Sequence, residues 1–397
     1  MVRRVMLVGI VLFGACVYVN ARADGSGGID LNLEQFEQGR VLAAADQALK
    51  DQPVTITAYP ATRSTGGIHD YYSEADYDWP NPKDPSGPYI NRDGMSNPTN
   101  FNAHRMVMRR LSIDVPALTA AYLITGDKRY ADHAIDFLMA WFVTPTTRMN
   151  PNLEHSQAIR QSGINGRSIG IIDTLHLVEV AQAVVVLRAH GALTKEEDEG
   201  ITQWFAEYVD WMTTSDMGHT EGAAKNNHAT CYWEQVAEFA KVTGNDKLLD
   251  ECREKYKDQL LEQMAPDGSF PRELKRTKPY GYSLFNLDQM VTLCQMLSTP
   301  SDDLWAYTLP GGQNIHKGLE FMYPYVKDKA AWEKRPGFKP DVLFYDQWPV
   351  RTCTWLFAGL HYDDPKYIEL WESLKPNVTN DEVTRNVPLR QPLLWVR

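Results

Sequence analysis

The stretch Tyr122-Leu-Ile-Thr-Gly126-Asp127-Lys-Arg-Tyr130 joins two segments whose apolar residues recur at three- and four-residue spacing. Such spacing is typical of amphipathic α-helices. Glycine is favoured just after the last residue of a helix, and a polar residue such as aspartate often caps the start of the next one. The stretch therefore predicts the tight turn of an antiparallel helical hairpin.

The same arrangement recurs at three further places along the chain. They are Gly244 before Asn245, Gly191 before Thr194-Lys-Glu-Glu197, and Gly359 before Asp364-Pro. Helical periodicity is predicted over residues 34–50, 102–124, 128–142, 168–190, 195–213, 228–242, 246–264, 283–298 and 354–360. Repeated helical hairpins predict an all-α fold, and we favour an α/α toroid, an incomplete barrel of antiparallel hairpins, over a solenoid or an irregular bundle.

Two long segments interrupt this helical pattern. Residues 52–99 are rich in Pro, Gly, Asp and Tyr, and loops of such length are usually functional or disordered. The aromatic residues of this segment argue against disorder, and those of the loop over residues 68–92 suit stacking on sugar rings. Residues 265–282 are predicted to form a second, basic loop between helices.

The N-terminus has the layout of a secretory signal peptide. Arg3 and Arg4 precede the almost purely apolar stretch from Val5 to Val19, and Ala21-Arg22-Ala23 resembles a cleavage site. The apolar stretch is shorter than the ~20 residues of a transmembrane helix, so no stable membrane span is expected. We predict a signal peptide over 1–23, a single domain over 24–397, and a periplasmic or secreted location, with lipoprotein anchoring at Cys16 as the alternative.

Charge narrows the classes of partner. The chain has 40 basic and 51 acidic residues; loss of residues 1–23 would remove three arginines and no acidic residue, leaving 37 against 51 and a net charge of −14. An acidic protein is a poor nucleic-acid binder, and a polyanionic sugar would need a local basic cluster.

The cysteines after the expected signal peptide form no zinc or redox motif. Cys231, Cys294 and Cys353 are predicted to pack as small hydrophobic residues, and no disulfide pair is identified.

The common catalytic and metal-binding signatures are missing from the sequence, but two segments combine unusual polar residues. Lys225-Asn226-Asn227-His228 opens a predicted helix, and helix capping explains only one of the two asparagines. Arg272-Glu-Leu-Lys275-Arg276-Thr-Lys278-Pro-Tyr280-Gly-Tyr282 places four cations within seven residues. Most charge runs are solvated surface loops, but the two tyrosines are unusual there, and neighbouring cations lower the pKa of a phenol.

Two more segments carry His and Arg at predicted helix starts. They are Asn100-Phe-Asn-Ala-His104-Arg105 and Gly163-Ile-Asn-Gly166-Arg167-Ser-Ile-Gly170-Ile-Ile-Asp173. Either segment is equally explained as a capped helix start in which the His or Arg is a structural group.

Taken in order, these segments resemble the alginate-lyase-like polysaccharide lyases. The resemblance runs from about Ile68 to Trp355 and includes His69-Asp-Tyr-Tyr-Ser-Glu74 and Pro88-Tyr-Ile-Asn-Arg92-Asp-Gly94. It implies an α/α toroid with a long aromatic lid loop over residues 68–92. It also implies a catalytic set of Asn227, His228, Arg276 and Tyr282, with Tyr280 as the weaker candidate for the tyrosine. The residues expected to bind substrate are Tyr71, Tyr72, His104, Arg105, Arg167, Lys278, Tyr280 and Trp348.

The resemblance implies β-elimination on an acidic, uronate-containing polysaccharide. Asn227 and Arg276 would bind the uronate carboxylate, Tyr282 would move the proton, and His228 would be a second base or an orienting donor. No metal or other cofactor is expected. Two alternatives stay open: a glycoside hydrolase using carboxylates such as Asp173, Glu221 and Glu234, and a non-catalytic glycan-binding protein. The sequence leaves the type of uronate and the oligomeric state undetermined.

Overall fold

The computed structural model describes residues 29–378 and 380–396. The expected signal peptide over 1–23, including Cys16, lies outside the described residues. Helices dominate the described part of the chain, and the strands are few and short.

The helices, numbered in chain order, are α1 (Leu33–Ala48), α2 (Ala103–Thr125), α3 (Lys128–Leu138), α4 (Leu177–Ala189), α5 (Lys195–Thr214), α6 (Asp216–Gly222), α7 (Asn227–Thr243), α8 (Asp246–Lys255), α9 (Pro271–Leu274), α10 (Pro279–Leu297), α11 (Ile315–Lys327), α12 (Lys329–Glu333), α13 (Cys353–Tyr362), α14 (Pro365–Ser373) and α15 (Asp381–Thr384). A 3-10 segment, Ser168–His176, leads into α4, and π-helical turns extend α3 and α8.

Three of the predicted hairpin turns form as expected. Gly126, Gly191 and Gly244 have φ of 68°, 63° and 66°, in the left-handed region that glycine adopts at little cost. Asp127 caps α3 by accepting a hydrogen bond from the Arg129 amide. The turns between α2 and α3, α4 and α5, and α7 and α8 are therefore confirmed.

The fourth hairpin exists, but its predicted glycine cap is wrong. Gly359 lies inside α13, and the helix ends at Asp363, which has φ of 54°. A Cβ atom at Gly359 would lie 2.5 Å from Ile368 Cδ1 of α14. The glycine is therefore needed for close approach of two helices and not for the turn.

The helices form an incomplete α/α toroid, as predicted. The inner helices α2, α4, α7, α10 and α13 contact one another in succession, while α1 and α3 pack on α2, α5 and α8 on α7, and α14 on α13. Helices α7 and α10 are buried along most of their length, because neighbours cover them on several sides. The C-terminal segment packs on the inner ring, where the Glu179 carboxylate of α4 accepts hydrogen bonds from the amides of Arg390 and Gln391.

The segment 265–282, predicted to be a loop, contains the short helix α9 and the first turn of α10. Helix α9 begins at Pro271 and α10 begins at Pro279. Proline fits the first turn of a helix, because the N–H groups of that turn have no hydrogen-bond acceptor within the helix and the absence of one costs little. Tyr280 and Tyr282 therefore lie on the first turn of α10, which fixes the direction of their side chains.

The long segment 52–99 is ordered by short strands. Strand β1 (Tyr72–Glu74) pairs in parallel with β4 (His155–Ala158), and β2 (Asp78–Trp79) pairs antiparallel with β3 (Ile90–Asn91). The segment is thus an anchored loop, and Tyr77, which lies between β1 and β2, contacts Tyr282.

Cysteine packing follows the prediction. Cys231, Cys294 and Cys353 are buried free thiols, and so is Cys252. One stretch of the described residues, Ser168–Ala189, is long and apolar enough to cross a membrane, but 78% of its most apolar window is buried inside the protein. That degree of burial is typical of a core helix.

Candidate active site

The Asn-Asn-His segment forms the start of α7. Asn226 occupies the N-cap position but makes no capping hydrogen bond through its side chain. Instead, Asn227 donates twice to the Glu273 carboxylate, from its backbone N–H at 2.9 Å and from Nδ2 at 2.8 Å. Glu273 lies on α9, so this pair fixes the Asn227 amide against the segment that carries Arg276.

His228 is paired with a buried carboxylate. Its Nδ1 lies 2.6 Å from Oε1 of Glu221, which is 2% exposed in α6. Burial alone would lower the pKa of the imidazole, but the charge and hydrogen bond of Glu221 outweigh it, so the pKa of His228 is raised. With Nδ1 directed to Glu221, Nε2 is the nitrogen left to meet a substrate.

Arg276 stacks on the ring of Tyr282. Its guanidinium carbon lies 4.2 Å from the ring centroid, and its Nε and Nη2 donate to the Asp93 carboxylate at 3.0 and 2.6 Å. A third contact places its Nη1 3.9 Å from Glu273. Through Glu273, the Arg276–Tyr282 pair is joined to Asn227 and to the neighbouring His228.

The Tyr282 hydroxyl lies 2.8 Å from the hydroxyl of Tyr77, a residue of the 68–92 loop. Arg385, near the C-terminus, donates to the same Tyr77 hydroxyl at 2.8 Å. Burial raises the pKa of Tyr282 well above its usual value, although Arg276 and Arg385 both act to lower it. The sequence led us to expect that neighbouring cations lower the pKa of this phenol. In the free protein the side chain is only 8% exposed, and its burial raises the pKa by more than the cations lower it.

Lys278 is a further cation of this site. Its Nζ lies 5.9 Å from the Tyr77 ring centroid and 5.3 Å from that of Phe344. Burial, helped by repulsion from Arg385, lowers the pKa of Lys278 to about 8. The ammonium therefore faces the same loop as Tyr282 and loses its charge more easily than an exposed lysine.

Three of the residues predicted to bind substrate belong to a buried network instead. Arg105 donates to Asp173 at 3.0 Å and to Asp76 at 2.5 Å, and the hydroxyl of Tyr71 donates to Asp173 at 3.2 Å. Tyr71 is 1% exposed, so it has no ring face open to a sugar. His104 accepts from the Tyr72 amide at 3.0 Å, and its Nε2 lies 2.8 Å from the carbonyl of Tyr59. These side chains hold β1 against α2, the structural role that their sequence context left open.

Other predicted residues are also turned away from the catalytic set. Tyr280 is fully buried and donates to the Tyr325 carbonyl, and Trp348 is buried beside the start of α10. Tyr72 donates to Glu74 at 3.1 Å and lines a separate pocket with Arg160. Arg167 is half-buried and contacts the 68–92 loop, with its Nη2 3.6 Å from the Asp78 carboxylate.

Several groups at the site were missed by sequence reasoning. Asp93 and Glu273, which bind Arg276 and Asn227, look like ordinary acidic residues in the sequence. Glu221 was considered only as a possible hydrolase carboxylate, and its role as the partner of His228 was not predicted. Arg385 meets Tyr77 across 308 positions of the chain, a distance that no local pattern can reveal. Among the described residues, no group of three His, Cys, Asp or Glu side chains could hold a metal ion.

Comparison with known proteins agrees with this geometry. The sequence model of the family described as "Alginate lyase" matches residues 55–332, more than half of the chain. The chain belongs to the alginate lyase family. The match includes Asn227, His228, Arg276 and Tyr282 but ends before Arg385.

Solved structures of alginate lyases share the fold. The crystal structure of an alginate lyase from Bacteroides ovatus is 30% identical in sequence, with a TM-score of 0.78 over 91% of this chain and 93% of that one. Alginate lyase A1-III from Sphingomonas species A1 is 15% identical, with a TM-score of 0.53 over 90% of this chain and 94% of that one. A variant of A1-III complexed with a tetrasaccharide has a TM-score of 0.57. No curated protein sequence matches the chain. As a member of this family, the protein is a polysaccharide lyase.

Proposed function

We propose that the protein cleaves 4-O-linked uronate chains by β-elimination, with Tyr282 moving the proton and Asn227, His228 and Arg276 holding the reacting sugar. The observation that carries the proposal is the contact between Arg276 and Tyr282, linked through Glu273 to Asn227. A cation, an amide and a phenol are thereby joined by a continuous chain of contacts. An acidic polysaccharide is the substrate class that this set of groups favours.

The reaction balances without an external reagent. The base removes the proton from C5 of the uronate, the electrons of that C–H bond form the C4–C5 double bond, and the bond from C4 to the bridging oxygen breaks. The leaving oxygen then takes up a proton. Donors that bind the carboxylate stabilise the negative charge that develops beside C5, and such preorganised donors are often the largest contribution to catalysis.

Tyr282 must be a phenolate when it accepts the C5 proton. Its raised pKa in the free protein means that this form is rare near neutral pH. The positive charges of Arg276 and Arg385 favour the phenolate, which forms when the phenol proton leaves to water. We therefore expect turnover to increase with pH as the phenolate fraction grows.

The stereochemistry of the sugar divides the work between Tyr282 and His228. In β-mannuronate and β-glucuronate the C5 proton and the C4 oxygen lie on the same side of the ring, so Tyr282 can serve as both base and acid. In guluronate they lie on opposite faces, and a second group must take the proton. Nε2 of His228 is our candidate for that base.

The hydrolase alternative finds little support in the arrangement of carboxylates. Asp173 is held by Arg105 and Ser73, Glu221 is held by His228, and Glu234 is completely buried in α7. Hydrolysis of a glycoside requires two carboxyl groups facing each other across an open bond-cleavage site. These three are instead used as structural or orienting partners, or are shielded from solvent.

The test compares two tyrosines of the same helical turn. Tyr282→Phe keeps the ring under Arg276 but removes the proton carrier, so kcat should fall by roughly 10²–10⁴-fold, the usual contribution of a general acid–base group. Tyr280→Phe removes only a hydrogen bond to a backbone carbonyl and should keep near wild-type kcat. Far-ultraviolet circular dichroism checks that both variants fold. A dead Tyr280→Phe beside an active Tyr282→Phe would contradict the assignment.

A further inference from the structure

A pocket of about 640 Å³ is lined in part by Arg276. Its volume is within the range of small-ligand sites. We call it the basic pocket, because its lining consists of Lys225, Asn226, Pro271, Arg272, Lys275 and Arg276. It has no carboxylate among its lining residues.

The cations of the basic pocket differ from the other cations of the site. Arg276 and Arg385 are each bound to a carboxylate, at 2.6 and 2.8 Å. Lys225, Arg272 and Lys275 are exposed, and within residues 29–378 and 380–396 none of their side chains forms an ion pair. Three unpaired cations together are notable in a chain with a net charge of −11.

The basic pocket is continuous with the candidate active site. Arg276 lines the pocket, and its guanidinium stacks on the ring of Tyr282. Asn226 lines it as well and directly precedes Asn227. A chain bound with one uronate at Arg276 therefore has an open, positively charged path along α9 toward Lys225.

We propose that the basic pocket is a distal subsite, which binds the carboxylates of uronate residues next to those at the cleaved bond. This inference rests on the proposed function, since it takes the substrate to be a uronate chain. A polymer with one carboxylate on every sugar can place several of them along the three free cations. The occupant we expect is thus the substrate itself, bound by charge complementarity.

The magnitude of the effect follows from the exposure of these groups. Each exposed ion pair contributes little, but several together increase the affinity for a long chain. Binding that is equal in the ground state and the transition state raises KM when it is lost and leaves the chemical step alone. We therefore expect loss of two cations to raise KM for the polymer by roughly 3- to 30-fold, with a smaller change in kcat. The difference in KM between this variant and the wild type should shrink as salt is added, because exposed charges are screened.

The experiment compares two double variants of equal net charge. Arg272→Ala/Lys275→Ala empties the basic pocket of two cations, whereas Lys128→Ala/Lys247→Ala removes two exposed cations from the first turns of α3 and α8. KM is measured on a polyuronate and on the shortest oligouronide that is cleaved. The KM of the pocket variant should increase much more for the polymer than for the short substrate. The control variant should have wild-type KM values for both. Equal KM values for the pocket and control variants on the polymer would overturn the inference.

A binding assay separates this inference from the proposed function. Affinity of the polyuronate for Tyr282→Phe is measured by calorimetry, with and without the two pocket substitutions. Weaker binding by the pocket variant supports the distal subsite even if turnover assigns the chemistry to other residues. Unsaturated products from the wild type, together with unchanged binding by the pocket variant, would leave the proposed function standing and reject the subsite.

Discussion

The imidazole of His228 is oriented by one buried carboxylate, that of Glu221, at 2.6 Å. From the sequence we expected a largely neutral histidine, ready to act as a base. The raised pKa of His228 means instead that its neutral form becomes dominant only at higher pH. Glu221 lies seven positions before His228, in a different helix, so no helical periodicity in the sequence links the two.

We predict that this pair controls the pH dependence of guluronate cleavage. If neutral His228 takes the proton, kcat/KM on polyguluronate should rise as pH increases through the raised pKa of His228. Glu221→Gln keeps a hydrogen-bond acceptor but removes the charge, so this rising limb should move to lower pH. The measurement is the pH–rate profile of both proteins.

Polymannuronate provides the control for this prediction. Proton transfer during its cleavage is assigned to Tyr282 alone, and His228 only helps to hold the sugar. The limb that moves with Glu221→Gln on polyguluronate should therefore be absent from its profile, and His228→Gln should depress its cleavage far less. An equal and severe loss from His228→Gln on every substrate would contradict the division of roles. The charge pair also affects stability: its contribution is present below the ordinary pKa of histidine and is lost as pH rises through the raised value.

Tyr71 and Tyr280 were predicted to bind sugar, but the sequence alone could not tell whether these side chains are buried. An aromatic side chain serves equally well as a core residue and as a sugar platform, and only its position in the fold decides between them. Both are buried and donate to a partner inside the protein. Tyr282, two positions after Tyr280 in the same helix, points to another side of α10 and reaches Arg276 and Tyr77.

At the scale of elements, the 68–92 loop already contacts the site in the free protein. Tyr77 meets Tyr282, and Asp93, just after the loop, holds Arg276 by two hydrogen bonds. A substrate carboxylate must share or replace the Asp93 contact to reach Arg276. This makes the loop a candidate lid whose position depends on what Arg276 binds.

We predict that the loop becomes more protected when sugar binds. Amide hydrogen exchange in residues 68–92 of the Tyr282→Phe variant should slow in the presence of saturating oligouronide, since a closed lid shields its amides from solvent. Helix α14, on the outer layer, should exchange at the same rate with and without ligand. Unchanged exchange in the loop would show that it is a static wall of the site.

The hairpin of α13 and α14 offers a test of helix packing. Gly359→Val places a branched side chain against Ile368, where even a Cβ atom would lie 2.5 Å away. Overpacking of this kind typically costs about 1–3 kcal/mol, so we expect a lower midpoint of denaturant unfolding. Gly39→Val in α1 is the matched control, because nothing lies within 4 Å of a Cβ there. Equal stability of the two variants would disprove the close contact.

For the whole molecule, the sequence predicted the toroid because its signals are local. Glycine followed by a polar cap marks the turns at Gly126, Gly191 and Gly244, and apolar periodicity marks most of the long helices. The helix α11 was missed because Gly318 and Pro324 interrupt its pattern, although tertiary packing holds it together. The candidate catalytic set was predicted from short motifs and the family resemblance that they carry, whereas its partners Glu221, Glu273 and Arg385 depend on contacts between separate elements.

The net negative charge of the protein and the cations of the basic pocket have opposite effects on the binding of a polyanion. Long-range repulsion from a net charge of −11 disfavours approach, so binding depends on the cations gathered around α9 and the first turn of α10. Cleavage should therefore be sensitive to ionic strength.

The most direct test of the account is the chemistry of its products. The protein is incubated with polymannuronate, polyguluronate and glucuronan, and the ultraviolet absorbance of the conjugated C4–C5 double bond is followed, with Tyr282→Phe as the control. The account predicts increasing absorbance and unsaturated oligouronides on at least one polymer with the wild type, and little or none with the variant. Saturated reducing ends without any rise in absorbance would contradict β-elimination and favour a hydrolase.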